Sequence, residues 1–252
     1  MSEATTHQWT ASDGTALAYR QLGEGPRTVI LLHGLFSSAE VNWIKFGTAA
    51  KVAAQGFRVI MPDHRAHGDS AAPSDVASYP RGILARDLNE LIAHLGLSEF
   101  DLGGFSLGAR TIVQAVGEGL KPRRAILSGM GLQGLDHWQR RQQFYIDAID
   151  KYDEAQRGDP HWMSIQFMKT MKVDRVATRH VLGSFAAVDR AWLARFTMPT
   201  LVLIGTEDDD NGSARELADL LPDPTYAEVP GNHMNCITKP EFGERLAAFL
   251  GN

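Results

Sequence analysis

Short β-branched apolar runs alternate with segments of helical spacing along most of the chain, and this alternation leaves few folds open. The runs "TVILLHG" at 28–34 and "FRVIMPD" at 57–63 are bounded by turn residues and read as strands buried on both faces. Between them, Trp43 to Gln55 carries helical spacing. A helix over Ile83–His94 follows, then a strand near Phe100–Gly103, a helix over Leu107–Glu118 and a strand in "RAILSG" at 124–129. "PTLVLIG" at 199–205 and "TYAEVPG" at 225–231 add strands, and Phe242–Leu250 gives a closing amphipathic helix. Strands separated by helices of this length build βαβ units, so the expected class is α/β: a mostly parallel central sheet with helices on both faces. The start differs, because "HQWTASDGTALAYRQLG" reads as two strands joined by an Asp13-Gly14 hairpin turn.

The alternation stops between about Leu132 and Phe196. That interval is rich in Trp, Phe, Tyr, Met and charged residues, has several helical periods and contains no convincing strand. It reads as a helical cap at 132–196 inserted into a core formed by 1–131 and 197–252. A chain of 252 residues suits one sizeable core with such a subdomain, since it can bury roughly 70 to 75% of its unfolded surface.

The formal charge of −5, with Lys and Arg dispersed, argues against a nucleic-acid partner. No apolar segment of membrane-spanning length is present, and the N-terminal stretch lacks the charged-then-apolar pattern of a secretory signal, so the expectation is a cytoplasmic protein acting on a small molecule. The single Cys236 allows no internal disulfide and no cysteine-rich zinc site. No metal or cofactor is expected, because the glycine pattern of "GGFSLG" lacks dinucleotide-binding spacing. Whether the subunits pair as a homodimer is left open by the sequence.

"DLGGFSLGAR" at 101–110 places Ser106 directly between a strand and a helix. A reversal that tight forces its central residue into a sparsely allowed backbone conformation and brings the residues two before and two after into contact. Gly104 and Gly108 remove that collision and leave the Ser106 hydroxyl projecting from the helix N-terminus into the cleft. The alternative is an ordinary helix-capping serine. A serine nucleophile needs a base, and His233 in "VPGNHMNC" lies just past the last strand, where a loop can return it to the cleft. The base needs a carboxylate, and "LVLIGTEDDDNG" offers several; Asp208 is the first choice, with Glu207, Asp209 and Asp210 competing. A tetrahedral intermediate also needs donors for its oxygen. The Leu107 N–H at the helix start is one candidate, and in "HGLFSS" the Leu35 N–H is preferred to that of Phe36. His33 reads as a residue that ties this loop down.

With these pieces in place, the chain resembles the α/β-hydrolase fold family over nearly its whole length. "LLHGLFSSAEVNW", "RVIMPDHRAHGDS", "GGFSLGAR", "PTLVLIGTED" and "PGNHMNC" match family motifs in order. The resemblance implies a Ser106–Asp208–His233 triad, oxyanion donors at Leu35 and Leu107, and a structural loop containing Asp63, Arg65, His67 and Gly68. Three departures stand out: Ala66 replaces a glycine in "RAHG", Asn232 precedes the histidine, and the acid loop lacks the usual proline.

Serine at 106 disfavours the dehalogenase and epoxide hydrolase branches, in which an aspartate nucleophile is expected. The leading expectation is a carboxylic ester hydrolase for a small to medium apolar acyl or aryl substrate, acting through an acyl-enzyme. Lactone hydrolysis, carbon-carbon bond hydrolysis, acyl transfer and perhydrolysis use the same triad, and a non-catalytic binding protein is the alternative from another class. Trp138, Phe144, Tyr145, Trp162, Met163, Phe167, Met168 and Met171 are candidates to line an apolar pocket, or else to pack the cap on itself. Arg140, Arg141, Lys169 and Lys172 read as solvated helix faces, although one turned inward would point to a carboxylate on the substrate.

Overall fold

The computed structural model describes residues 3–251. Eight strands form one sheet: β1 (Thr5–Thr10), β2 (Ala16–Leu22), β3 (Arg27–Leu32), β4 (Phe57–Pro62), β5 (Asp101–Phe105), β6 (Ala125–Ser128), β7 (Thr200–Gly205) and β8 (Pro224–Val229). Their order is β1-β2-β4-β3-β5-β6-β7-β8. The β1–β2 and β2–β4 pairs are antiparallel, and every later pair is parallel. The β1–β2 hairpin turns at Asp13-Gly14, where Gly14 has φ 84° and the Asp13 carboxylate accepts the Thr15 N–H at 3.0 Å.

Alternate residues of the central strands feed two separate cores, as the period of 2 requires. Ile30, Leu32, Ile60 and Leu102 pack against α2 (Ile83–His94) and α3 (Leu107–Gly117), while Val202 and Ile204 join α8 (Ala214–Asp219) in the same layer. Val29, Leu31, Val59 and Met61 face the opposite way, onto α1 (Thr48–Ala53) and α9 (Pro240–Gly251). The sheet is therefore covered on both faces.

One expectation needs correction. The apolar spacing over Trp43–Gln55 does not form a single helix, because Gly47 sits in the left-handed region at φ 79° and separates a π-helical turn, Glu40–Ile44, from α1. Both pieces still turn apolar side chains inward, which is why the spacing looks continuous: Trp43, Ala49 and Val52 are all fully buried.

Between β6 and β7 the chain forms only helices: α4 (Leu132–Asp136), α5 (Trp138–Asp150), α6 (Trp162–Thr170), α7 (Arg175–Gly183) and a 3-10 segment, Arg190–Arg195. Ala148, Ile149, Ile165, Met168 and Leu182 make a small core of their own, and Phe36 from the loop after β3 inserts into it. A second cluster joins Ala177 and Val181 of α7 to Tyr79, Ile83, Leu84 and Leu107. The helical segment thus rests on the carboxyl ends of the strands, where an open parallel sheet collects ligands. Among the described residues, no helix is long and apolar enough to cross a membrane.

Candidate active site

At the β5–α3 junction Ser106 has φ 52° and ψ −106°, a strained conformation for a residue with a side chain. The strain is imposed by packing. A Cβ on Gly104 would strike the backbone of Gly108 and Ala109, and one on Gly108 would strike the Leu32 carbonyl. The helix can approach the sheet this closely only with glycine at both positions.

The Ser106 Oγ lies 3.0 Å from His233 Nε2, and His233 Nδ1 lies 2.9 Å from Asp208 Oδ2. The serine hydroxyl donates to the ring, and the ring N–H donates to the carboxylate. His233 comes from the loop after β8 and lies over the Phe105 ring at 4.9 Å between centroids. That loop is laced to the acid loop after β7, because the Glu207 N–H donates to the Gly231 carbonyl at 2.9 Å. Asp208 and His233 are buried, whereas Glu207, Asp209 and Asp210 are exposed. Of the four acids, only Asp208 reaches the histidine. Asn232 builds its own turn, accepting the Met234 and Asn235 N–H groups at 3.1 and 3.2 Å.

Leu35 and Leu107 border the same cavity as Ser106. The Phe36 N–H, the lesser candidate donor, is spent on His67 Nε2 at 3.1 Å. Among the described residues, the Leu35 and Leu107 N–H groups meet no acceptor. The loop that presents Leu35 is held by three histidines. His33 Nε2 accepts the His64 N–H at 2.9 Å, its Nδ1 bonds the Gly34 carbonyl at 2.7 Å, His64 Nε2 bonds the His33 carbonyl at 3.1 Å, and His67 Nδ1 bonds the Arg65 carbonyl at 3.0 Å. Burial depresses all three rings, His33 well below the ordinary histidine range, His64 to about 3 and His67 to about 4. They are neutral struts at physiological pH. Asp63 fastens the same region, accepting the Ala39 and Asp69 N–H groups at 2.7 and 2.9 Å, and burial raises its carboxyl. The loop turns back at Ala66, which takes φ 67°, the conformation for which glycine is usual. Beneath it Arg65 is fully buried, with both Asp87 oxygens at 3.0 and 2.8 Å and Asp13 at 2.7 Å.

Side chains of α5 close the cavity. Trp138, Arg141 and Tyr145 of α5 border it, and its volume is about 10 Å³, room for roughly one water. Beyond Arg141 and Asn211 lies a wider cleft of about 790 Å³, bordered by Phe144, Arg140, Asp209 and Asp210. Of the other aromatic and Met candidates, Met168 is buried in the cap core and Met163 is 61% exposed, so neither borders the serine. Arg141 faces inward, donating to the Tyr145 hydroxyl at 2.8 Å and to the Asp210 carbonyl. Burial raises the Tyr145 phenol, which keeps its proton. Arg110, also on the cavity wall, escaped the sequence reading. The available signal was its position four residues after Ser106 on the same helix, which places both on one face. Among the described residues, no three His, Cys, Asp or Glu side chains gather as a metal site.

Such a Ser–His–Asp relay at the end of a strand–turn–helix is the catalytic triad of a serine hydrolase in its geometry. The chain belongs to the alpha/beta hydrolase fold family, whose model matches residues 27–171. Among curated proteins it is 32% identical, over 108 residues, to a soluble epoxide hydrolase of Corynebacterium sp. (strain C12), a match covering 43% of this chain and 35% of that protein. Among solved structures it is similar to an esterase from Rhodococcus sp. ECU1013, with a TM-score of 0.75, 23% identity and 98% of each chain covered. An enol-lactonase from Burkholderia xenovorans LB400 superposes with a TM-score of 0.71 at 22% identity, covering 98% of this chain and 100% of that one.

Proposed function

We propose that the protein is a serine hydrolase that cleaves a carboxylic ester through an acyl-enzyme. The observation that carries this reading is the continuous Asp208–His233–Ser106 chain, with contacts of 2.9 and 3.0 Å, ending on a hydroxyl beside two unpaired backbone N–H groups. Ser106 Oγ attacks the ester carbonyl carbon while His233 Nε2 takes its proton. The negative oxygen that forms is received by the Leu35 and Leu107 N–H groups. Collapse of this intermediate expels the alcohol, which leaves with the proton from His233. Water then repeats the sequence on the acyl-enzyme, releasing the carboxylic acid and restoring Ser106. Asp208 holds the ring in the tautomer that can accept at Nε2 and stabilises its cationic form.

Ring-opening of an epoxide, the reaction in the names of several relatives, fits poorly with a serine. Attack by Oγ on an epoxide carbon would leave an ether on the enzyme, and water does not cleave an ether under these conditions, whereas attack on an acyl group leaves a hydrolysable ester. Esterase and lactonase names among the structural neighbours agree with acyl chemistry. Residues 132–196 act as the substrate-selecting cap, and the lone buried Cys236 suits a reducing, cytoplasmic setting.

The test is a screen of 4-nitrophenyl esters of graded acyl length beside several lactones, with Ser106→Ala as control and a fluorophosphonate probe for labelling. Turnover that disappears in Ser106→Ala, together with labelling confined to Ser106, is the expected result. Failure of the phosphonate to label the folded protein would refute an activated serine and favour a non-catalytic binding protein.

A further inference from the structure

Arg110 is 5% exposed and sits on α3 one turn beyond Ser106, its N–H donating to the Ser106 carbonyl at 3.0 Å. Arg110 borders the cavity that holds the serine and also a neighbouring cleft lined by Leu135, Phe185 and Ala186. The other buried arginine of the core, Arg65, is neutralised by Asp87 and Asp13. Arg110 has no such partner: among the described residues no carboxylate lies within ion-pair distance. Its contacts are three backbone carbonyls, Nη1 to Gly134 and Leu135 at 3.2 and 3.1 Å and Nη2 to Ala186 at 2.8 Å, together with the faces of Trp138 and Phe185 at 5.2 and 6.0 Å. Burial lowers its pKa to about 10, so it remains a cation at neutral pH.

A guanidinium offers five N–H donors, and these carbonyls leave the Nε–H and an Nη2–H without an acceptor. Dipoles and ring faces orient the group but supply no net negative charge, and an uncompensated buried charge is costly to maintain. A second cation, Arg141, stands at the mouth of the same cavity, with Asp210 no closer than 3.9 Å through its carboxylate. Two arginines around a serine, one with no counter-ion, describe a pocket for an anion with a planar, two-oxygen head, the shape that a guanidinium binds best.

Resting on the ester-hydrolase reading, we infer that the substrate is an anionic ester, a monoester of a short dicarboxylic acid, whose free carboxylate is received by Arg110 while its ester carbonyl lies against Ser106. Arg110 follows Ser106 by one helical turn, so the two lie on the same side of α3, and the spacer between carbonyl and carboxylate is accordingly short. The products are then a dicarboxylate and an alcohol. Arg110 is a specificity residue in this scheme. It selects among acyl groups and takes no part in proton transfer.

The test compares 4-nitrophenyl hemisuccinate with its neutral near-isostere, 4-nitrophenyl 4-methylpentanoate, as a ratio of kcat/KM within each protein. The ratio is insensitive to how much of a variant is folded. Wild type is expected to favour the hemisuccinate at least tenfold, Arg110→Gln to lose that preference, and Arg110→Lys to keep part of it. A ratio at or below one in the wild type, with both esters turned over in a Ser106-dependent way, overturns the anionic substrate and leaves the hydrolase reading intact. An unchanged ratio in Arg110→Gln with a lowered Tm would make Arg110 a tie between cap and core and nothing more. A second arm needs no turnover: calorimetric titration of Ser106→Ala with succinate and glutarate should detect millimolar or tighter binding that Arg110→Gln abolishes. Absence of that binding refutes the inference even if no ester proves to be a substrate.

Discussion

Three neutral imidazoles, His33 after β3 and His64 and His67 after β4, make the protein acid-labile in a defined way. His33, His64 and His67 are 0%, 6% and 4% exposed, and two of them spend Nε2 as an acceptor of a backbone N–H. Protonation at that nitrogen would set donor against donor. Burial is the main cause of their low pKa values, with mutual repulsion adding to it for His33 and His64. Because the folded values lie below the unfolded one, the unfolded chain takes up protons below about pH 6.5 that the native loop refuses, and stability falls as pH drops through that window. Each refused proton costs about 1.4 kcal/mol per pH unit, so three give a slope near 4 kcal/mol per unit between about pH 5.5 and 4.5. A native protein has about 5–15 kcal/mol in total, so this is a large share of it. Asp63, 3.9 Å from His33, works the other way, since its raised carboxyl takes a proton earlier in the folded state than in the unfolded chain. A single-site difference isolates the histidine contribution. In His67→Gln, whose amide can still accept from Phe36 and donate to Arg65, the slope should fall by about 1.4 kcal/mol per pH unit over that interval. Urea unfolding followed by tryptophan fluorescence at half-unit steps from pH 7 to 4.5 measures it. Equal slopes in variant and wild type would mean that His67 titrates alike in both states, and the argument would fail.

Other consequences are simpler to read. Ser106→Ala should reduce kcat by several orders of magnitude with Tm little changed, because alanine keeps the Cβ and the same backbone at φ 52° and loses only the hydroxyl; substantial remaining turnover would point to another nucleophile. Gly104→Ala should cost about 3 kcal/mol or prevent folding, since its Cβ meets the backbone of α3, and a variant with normal Tm would show that the turn has room to spare. Ala66→Gly should raise Tm by a few degrees, the relief of left-handed strain at φ 67° outweighing the added freedom of the unfolded chain by up to about 1 kcal/mol. A lowered Tm there would mean that the Ala66 methyl packs better than its backbone is strained.

Much of the fold was legible because parallel strands buried on both faces leave unbroken apolar runs, and β3, β4 and β7 fall where those runs lie. Ser106 was legible for a related reason: Gly104 and Gly108 record a steric requirement in the residue types themselves. The helix at Trp43–Gln55 misled because apolar spacing reports which residues point inward and is blind to the sign of φ at Gly47. Adjacent acids defeat spacing arguments as well, since Asp208 differs from Asp209 and Asp210 only in which way the loop turns it, and that is fixed by contacts with the distant Gly231 loop. Arg110 looked like any helical arginine. Its isolation from carboxylates is a property of the three-dimensional neighbourhood, assembled from the two ends of the 132–196 segment at Gly134, Leu135 and Ala186.

The helical segment leaves the sheet after β6 and rejoins it at β7, two strands paired directly from Ala125–Thr200 to Ser128–Leu203. Because the pair is parallel, the segment leaves at the carboxyl end of β6 and returns at the amino end of β7, so it is a crossover that must run back along the sheet. The cavity at Ser106 accordingly has two walls of different origin, Leu35, Leu107 and Arg110 from the sheet-and-helix core and Trp138, Arg141 and Tyr145 from the crossover, so exchanging the crossover alone would redraw one wall and keep the other.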